Sequence, residues 1–141
     1  MTTTISATLK NQLSEVTTLY EKIEAFGQDQ HIPDNVIAAM NLALEEILTN
    51  IISYGYQDTR EHEIFLRLTL EEESLVAEIE DDGAPFNPLD APDPDVTLPI
   101  EERPIGGLGI HLTKKMMDKI TYAQQNGKNV LRLRKWLSQT T

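Results

Sequence analysis

The segment PDNVIAAMNLALEEILTNIISYG, residues 33–55, decides the outline of the fold because it predicts one long helix. Pro33 suits the first turn of a helix and Gly55 suits its end, and no other Gly or Pro interrupts the segment. Its apolar side chains recur at helical spacing and form a single stripe that would pack on a sheet. They are Ile37, Met40, Leu44, Ile47, Leu48 and Ile51.

The sequence on either side of this helix predicts a second helix before it and strands at both ends of the chain. Alternating residues indicate the strands, and apolar residues at helical spacing up to Gly27 indicate the first helix. The order β-α-α-β-β-loop-α-β-β predicts an α+β fold. We expect a two-layer α/β sandwich whose mixed, mostly antiparallel sheet carries helices on one face. The predicted strands and first helix are 3–9, 13–26, 64–70, 75–79 and a hairpin around Asn126-Gly127.

The size and composition of the chain indicate one domain. It has 141 residues, of which 40% are hydrophobic, so we expect a single domain over residues 1–141. No run approaches the ~18 consecutive apolar residues of a membrane helix, and the N-terminus does not resemble a signal peptide. We therefore expect a cytoplasmic protein without a membrane partner. The absence of cysteine excludes disulfides and thiolate metal sites, and the three histidines are scattered in sequence.

The charge is strongly acidic but unevenly distributed. The formal net charge of −11 argues against nucleic acid as a partner, because binding to phosphate backbones depends on Lys and Arg. Residues 1–110 carry 22 acids and five bases, whereas residues 111–141 carry one acid and seven bases. The last part of the chain therefore forms a modest basic face, which is either a solvated surface or a surface for a protein partner.

A proline-rich segment separates the two halves of the predicted sheet. Six of the seven prolines lie between Pro85 and Pro104 and alternate with acids, so neither a helix nor a strand can continue there. Loops of this length are usually lids of binding sites or linkers between domains. Only 37 residues follow, too few for a second domain, and the segment is therefore predicted to be a lid at about residues 85–105.

One acid and one amide lie together on the long helix. Glu46 and Asn50 are four residues apart and share a face with small residues, whereas Glu45 points to the far side. The side-chain oxygen of Asn50 is a suitable ligand for Mg²⁺, and a carboxylate one turn earlier can orient or deprotonate a hydroxyl group. The same spacing is also typical of an ordinary exposed helix face.

Two glycine-containing segments complete the candidate site. In the segment IEDDGAPF, residues 79–86, an acid at a strand end can accept a hydrogen bond from an exocyclic amine, and Gly83 lets the backbone approach a flat ring. A plain turn is the alternative. The segment Gly106-Gly107-Leu108-Gly109 opens a helix, where unpaired N–H groups can bind phosphate, although such glycines also serve close helix packing. Agreement of three weak signals in one chain favours an ATP site.

These segments resemble known motifs. Glu46-Ile-Leu-Thr-Asn50 is similar to the N box of the GHKL ATP-binding superfamily, Asp81-Asp-Gly83-Ala-Pro85-Phe86 to its first glycine box, and Arg103-Pro-Ile-Gly-Gly-Leu-Gly-Ile110 to its second. Within the superfamily, the chain resembles the bacterial anti-sigma-factor serine/threonine kinases of partner-switching systems. The resemblance covers the chain from Leu13 to Arg134. Two positions depart from the pattern, since Ile51 replaces a frequent Ala and Tyr54 a frequent His.

The resemblance implies a role for each motif. Glu46 would be the catalytic base, Asn50 the ligand of Mg²⁺, and Asp81 the contact to adenine. Arg103 is the only cation of the lid and would be able to reach a phosphate. The residues expected to bind the nucleotide are Asn50, Asp81, Gly83, Pro85, Arg103, Gly106, Gly107, Leu108 and Gly109.

The functional hypothesis from the sequence is an ATP-dependent serine/threonine protein kinase. It would phosphorylate a small antagonist protein, sequester a sigma factor or comparable regulator, use ATP and Mg²⁺, and form a homodimer. A non-enzymatic, nucleotide-gated binding module and a small ATPase are the alternatives. Glu46 favours the enzyme, because a pure binding module does not need an acid at that position.

Overall fold

A computed structural model of the chain describes residues 3–56, 58–85 and 113–138. A helical turn at residues 113–116 leads into the last two strands. The helices and strands confirm the predicted α+β class. In chain order they are β1 (Thr3–Lys10), α1 (Leu13–Asp29), α2 (Asp34–Tyr54), β2 (Glu63–Leu70), β3 (Ser74–Asp81), β4 (Lys119–Gln125) and β5 (Lys128–Trp136).

The strands form one sheet in the order β1-β2-β3-β5-β4. Both predicted hairpins are present, and the second turns at Asn126 and Gly127, which have the positive φ angles of a two-residue hairpin turn. We expected a mixed, mostly antiparallel sheet, and each strand pair in the described ranges is antiparallel. The physical reason is that β5 returns from its hairpin to lie between β3 and β4, opposite in direction to both.

The core lies between one face of the sheet and the two helices. α2 supplies its centre, since Met40, Ala43, Leu44 and Leu48 are fully buried. By length and composition alone, α2 would also qualify as a membrane span, with a mean hydropathy of 1.4. Its buried face nevertheless packs into the same apolar cluster as α1 and the strands, which is the behaviour of a core helix.

The first helix extends beyond its predicted end at Gly27 and stops at Asp29. Gly27 lies at the contact between α1 and α2, where an added Cβ atom would be 2.7 Å from Cγ1 of Ile37. This glycine therefore allows the two helices to approach closely and does not terminate α1. The helix ends instead where the backbone N–H of Ile32 donates to the carbonyl of Gly27 and His31 adopts a φ of 55°.

Candidate active site

The second half of α2 carries the predicted acid and amide. Glu46 and Asn50 are both partly buried, one helical turn apart, whereas Glu45 is exposed. The three residues therefore differ in environment as the helical wheel predicts. Ile51 is partly buried and Tyr54 is exposed at the end of the helix, so the two positions that depart from the family pattern differ in their environment as well.

The side-chain amide of Asn50 has an unused end. Its Nδ2 atom is buried and has no hydrogen-bond partner within the described ranges. The two ends of an amide are assigned from their surroundings, so this observation means that one end of the group lacks an internal partner. A buried polar group without a partner is costly, and the N–H donor of this amide is suited to a ligand oxygen. The oxygen of the same amide is the atom that would bind Mg²⁺, so the residue type fits the expected ligand.

The carboxylate of Asp81 is buried at the end of β3. Asp81 continues the helix-facing row of Ala77 and Ile79 and is 7% exposed. Its Oδ1 atom accepts hydrogen bonds from the backbone N–H of Gly83, at 2.8 Å, and from Nδ2 of Asn129, at 3.1 Å. The described residues provide no donor to Oδ2. One oxygen is thus fixed by the protein, and the other can accept a hydrogen bond from an exocyclic amine.

The protonation of Asp81 depends on opposing effects. Burial is the largest and raises the pKa of this carboxyl above its ordinary value. The hydrogen bonds from Asn129 and Gly83 oppose that shift, whereas the charge of Asp82 adds to it. The two donors therefore help to keep a buried carboxyl in the ionised form that accepts hydrogen bonds.

The sequence reasoning missed Asn129, which is 6% exposed. Besides binding Asp81, its Nδ2 atom donates to the carbonyl oxygens of Gly83 and Ala84, both at 3.2 Å. Its Oδ1 atom accepts a hydrogen bond from the hydroxyl of Tyr122. One signal in the sequence would have found it, because Asn129 is the polar member of a helix-facing row that continues with Leu131 and Leu133.

Asn129→Ala should destabilise the domain by about 2–4 kcal/mol, because one buried and three partly buried hydrogen bonds are lost at once. Equilibrium unfolding in urea would measure the change. Gln124→Ala is the matched control, since Gln124 is the exposed cross-strand neighbour of Asn129. Equal stabilities of the two variants would mean that the hydrogen bonds of Asn129 do not hold the turn.

A backbone contact joins the end of α2 to the turn after β3. The carbonyl oxygen of Gly55 accepts a hydrogen bond from the N–H of Ala84 at 2.8 Å. An added Cβ atom on Gly83 would lie only 2.7 Å from that same oxygen, so the close approach requires glycine at this position. Asn50 lies five residues before Gly55, about 7.5 Å along the helix axis. The structure therefore brings two of the three predicted motifs together.

The remaining predicted residues are only partly described. Pro85 is exposed at the end of the turn. The rest of the predicted lid, with Arg103, and the four residues Gly106, Gly107, Leu108 and Gly109 lie outside the described residues.

Comparison with known proteins identifies the class to which this fold and site belong. The family model of the histidine kinase-like ATPase domain matches residues 9–135. The chain therefore belongs to the histidine kinase-like ATPase domain family, and membership implies ATP binding.

Individual relatives are protein kinases by name. The chain is 28% identical over 94 residues to the serine/threonine-protein kinase BtrW of Bordetella bronchiseptica, with 67% of this chain and 66% of that protein covered. It is 31% identical over 96 residues to the serine-protein kinase RsbW of Bacillus mycoides, with 65% and 59% covered. For RsbW of Bacillus cereus the identity is 32% over 99 residues, with 67% and 61% covered. The matches thus span less than two thirds of the relatives' own length.

Solved structures share the fold at low sequence identity. A Mycobacterium tuberculosis protein with RsbU and RsbW domains matches with a TM-score of 0.67 at 15% identity, covering 94% of this chain and 31% of that one. The histidine kinase domain of a blue-light activated kinase from Erythrobacter litoralis matches with a TM-score of 0.57 at 14% identity, covering 89% and 60%. The two matches establish the histidine kinase-like ATPase fold.

Proposed function

We propose that this chain is an ATP-dependent serine/threonine protein kinase that phosphorylates a small antagonist protein and also binds a sigma factor or comparable regulator. The observation that carries the proposal is the backbone contact between Gly55 and Ala84. It connects the helix that bears Glu46 and Asn50 to the turn that bears Asp81. This contact supports a shared site for the acid Glu46, the proposed ligand Asn50 and the buried acceptor Asp81.

Each residue has a separate task in this proposal. Oδ2 of Asp81, to which the described residues provide no donor, accepts a hydrogen bond from the amino group of adenine, which guanine lacks at that position. The glycines of residues 106–109 are proposed to bind the phosphates. Glu46 accepts the proton of the attacking Ser or Thr hydroxyl while the γ-phosphoryl group passes to its oxygen and ADP leaves.

Asn50 is proposed to hold magnesium through its side-chain oxygen. Bound Mg²⁺ neutralises charge on the phosphates during transfer. Glu46 lies one helical turn before Asn50 and is proposed to face the same space. The oxygen chemistry of the Asn50 side chain and the partial burial of both side chains on one helix face support this assignment.

The partners follow from the family resemblance and from the names of the relatives, which are serine-protein kinases. We propose a small antagonist protein as the substrate, a sigma factor or comparable regulator as the sequestered partner, a homodimeric state and a cytoplasmic location. The basic stretch of residues 111–141 adds no separate support for a partner, because its bases on β5 form ion pairs with acids of the same chain. These bases are Lys128, Arg132, Arg134 and Lys135.

The decisive experiment is incubation of the protein with labelled ATP, Mg²⁺ and candidate antagonist proteins, followed by detection of phosphoserine or phosphothreonine. We expect transfer of label to one antagonist. Binding of ATP without transfer to any protein that the chain binds would favour a nucleotide-gated binding module. Release of phosphate without a protein acceptor would favour an ATPase.

A further inference from the structure

His62, just before β2, lies between two carboxylates from different parts of the chain. Its Nε2 atom is 2.8 Å from Oδ1 of Asp58, in the segment that follows α2. Its Nδ1 atom is 3.3 Å from Oδ1 of Asp82, in the turn after β3. The imidazole therefore connects residues 58–62, which we call the 58–62 segment, to residues 81–83, the Asp81–Gly83 turn.

The imidazole is held firmly in this position. It stacks on the ring of Tyr56, with the ring centroids 4.1 Å apart and the planes 13° from parallel. The backbone N–H of His62 donates to Oδ1 of Asn11 at 2.9 Å, and its carbonyl accepts from the N–H of Asn11 at 3.1 Å. Only 13% of the side chain is exposed. The backbone of His62 is therefore held by Asn11, and its ring is held in place by stacking on Tyr56.

The chemistry of imidazole makes this connection depend on a proton. A neutral ring has one N–H donor, whereas an imidazolium has two and can donate to both carboxylates at once. We propose that protonated His62 is a positioning residue that clamps the Asp81–Gly83 turn to the 58–62 segment and so makes nucleotide affinity depend on pH. The effect on the turn stands on the geometry alone, and the effect on affinity rests also on the proposed function.

The direction of the pH effect follows from the bonding. The hydrogen bond to Asp58 is the largest influence and raises the pKa of His62, with a further contribution from Asp82, although partial burial opposes it. The same bond lowers the pKa of Asp58. The stabilising contribution of His62 is complete below the ordinary pKa of an unfolded histidine and is lost as pH rises through its raised value. The stabilising contribution of Asp58 is lost as pH falls through the lowered pKa of its carboxyl.

The other charged groups around the ring do not replace this connection. Arg60 donates to Asp58 rather than to the turn, with its NH2 atom 3.2 Å from Oδ2. Lys128, a positively charged residue of the cleft beside His62, pairs with Glu80 at 4.0 Å. The remaining acids that line the cleft are Glu61, which pairs with Lys10 at 3.7 Å, together with Glu63, Glu80 and Asp81.

The clamp can be tested without nucleotide by NMR. We expect the amide signal of Gly83, whose N–H is bonded to Asp81, to shift with pH at the same midpoint as the imidazole signal of His62. His62→Gln should abolish this transition of Gly83, and Asp82→Asn should lower the midpoint of His62 and uncouple Gly83 from it. A Gly83 signal that is indifferent to the titration of His62, or identical in parent and His62→Gln, would overturn the proposal.

The consequence for the site can be tested with Mg·ATP. We expect the parent to bind Mg·ATP about 5-fold more tightly than His62→Gln at about pH 6, and the two proteins to bind it with equal affinity at about pH 9. An effect of about 5-fold is at the low end of the coupling between two linked sites. His31→Asn is the matched control, because the exposed His31 has a positive φ that Asn tolerates, and it should match the parent at both values. If the ratio of the two affinities is the same at both pH values, the proposed effect on nucleotide affinity is wrong. If the parent binds no ATP, the proposed function fails, and the Gly83 measurement still decides whether the clamp exists.

Discussion

Glu46→Gln should leave the affinity for Mg·ATP nearly unchanged while lowering phosphate transfer to the antagonist protein by ~10²-fold or more. The reason is that a group that accepts the proton of the attacking hydroxyl acts in the transfer step and contributes little to holding the nucleotide. Gln keeps the size and the partial burial of the side chain but cannot accept that proton. Calorimetry for affinity and labelled ATP for transfer would measure the two quantities on the same preparation.

Two variants on the same helix serve as comparisons for this result. Asn50→Ala should weaken Mg·ATP binding as well as transfer, because it removes a proposed ligand of the metal. Glu45→Gln should change neither, since Glu45 is exposed. Transfer at the parental rate by the Glu46 variant would refute its role as the base, whereas the absence of transfer by the parent would make the nucleotide-gated binding module the leading function.

Asp81→Asn should cost about 1.5–3 kcal/mol of ATP binding, or about 10- to 150-fold in affinity, while leaving the fold intact. The existing hydrogen bonds determine how Asn would orient. The N–H of Gly83 and Nδ2 of Asn129 both donate to Oδ1 of Asp81, so the amide oxygen of the variant must stay in that place. Its NH₂ group then takes the position of Oδ2, where a donor would face the amino group of adenine.

The control for this variant is Glu80→Gln. It makes the same acid-to-amide change one residue earlier, on the opposite face of β3, where Glu80 pairs with Lys128. We expect its ATP affinity to equal that of the parent. Comparison of ATP with GTP provides a second check, because the parent should prefer ATP and Asp81→Asn should lose much of that preference. Equal affinity of the parent for both nucleotides would contradict the assignment of Asp81.

The main elements of the fold were predictable because each has a strong local signal. The stripe on α2 and the Asn126-Gly127 turn depend only on nearby residues, and both appear as predicted. One error has a tertiary cause. Gly27 was read as a helix end, although it serves the contact with Ile37. The strand directions depended on where β5 would insert, which is a long-range choice that periodicity does not determine.

The candidate site was predictable only in the residues that carry motifs. Asp81 and Asn50 stand in recognisable segments, and their proposed roles in binding remain predictions. Asn129 and His62 lie in no motif, because their roles arise from contacts with residues 48 and 20 positions away in the chain. Sequence patterns describe neighbours along the chain, whereas these contacts exist only once β3, β5 and the end of α2 have come together.

The strand order also affects how the domain tolerates changes in chain length. β3 precedes β4 in the chain, but β5 lies between them in the sheet. The spacing of β3 and β4 is therefore set by β5 and does not depend on residues 82–118, which link them in the chain. Loop entropy rises slowly with length, by only ~0.6 kcal/mol for each doubling. Changes in length at residues 90–102 should therefore leave Asp81 opposite Asn129 in the register of β3 and β5.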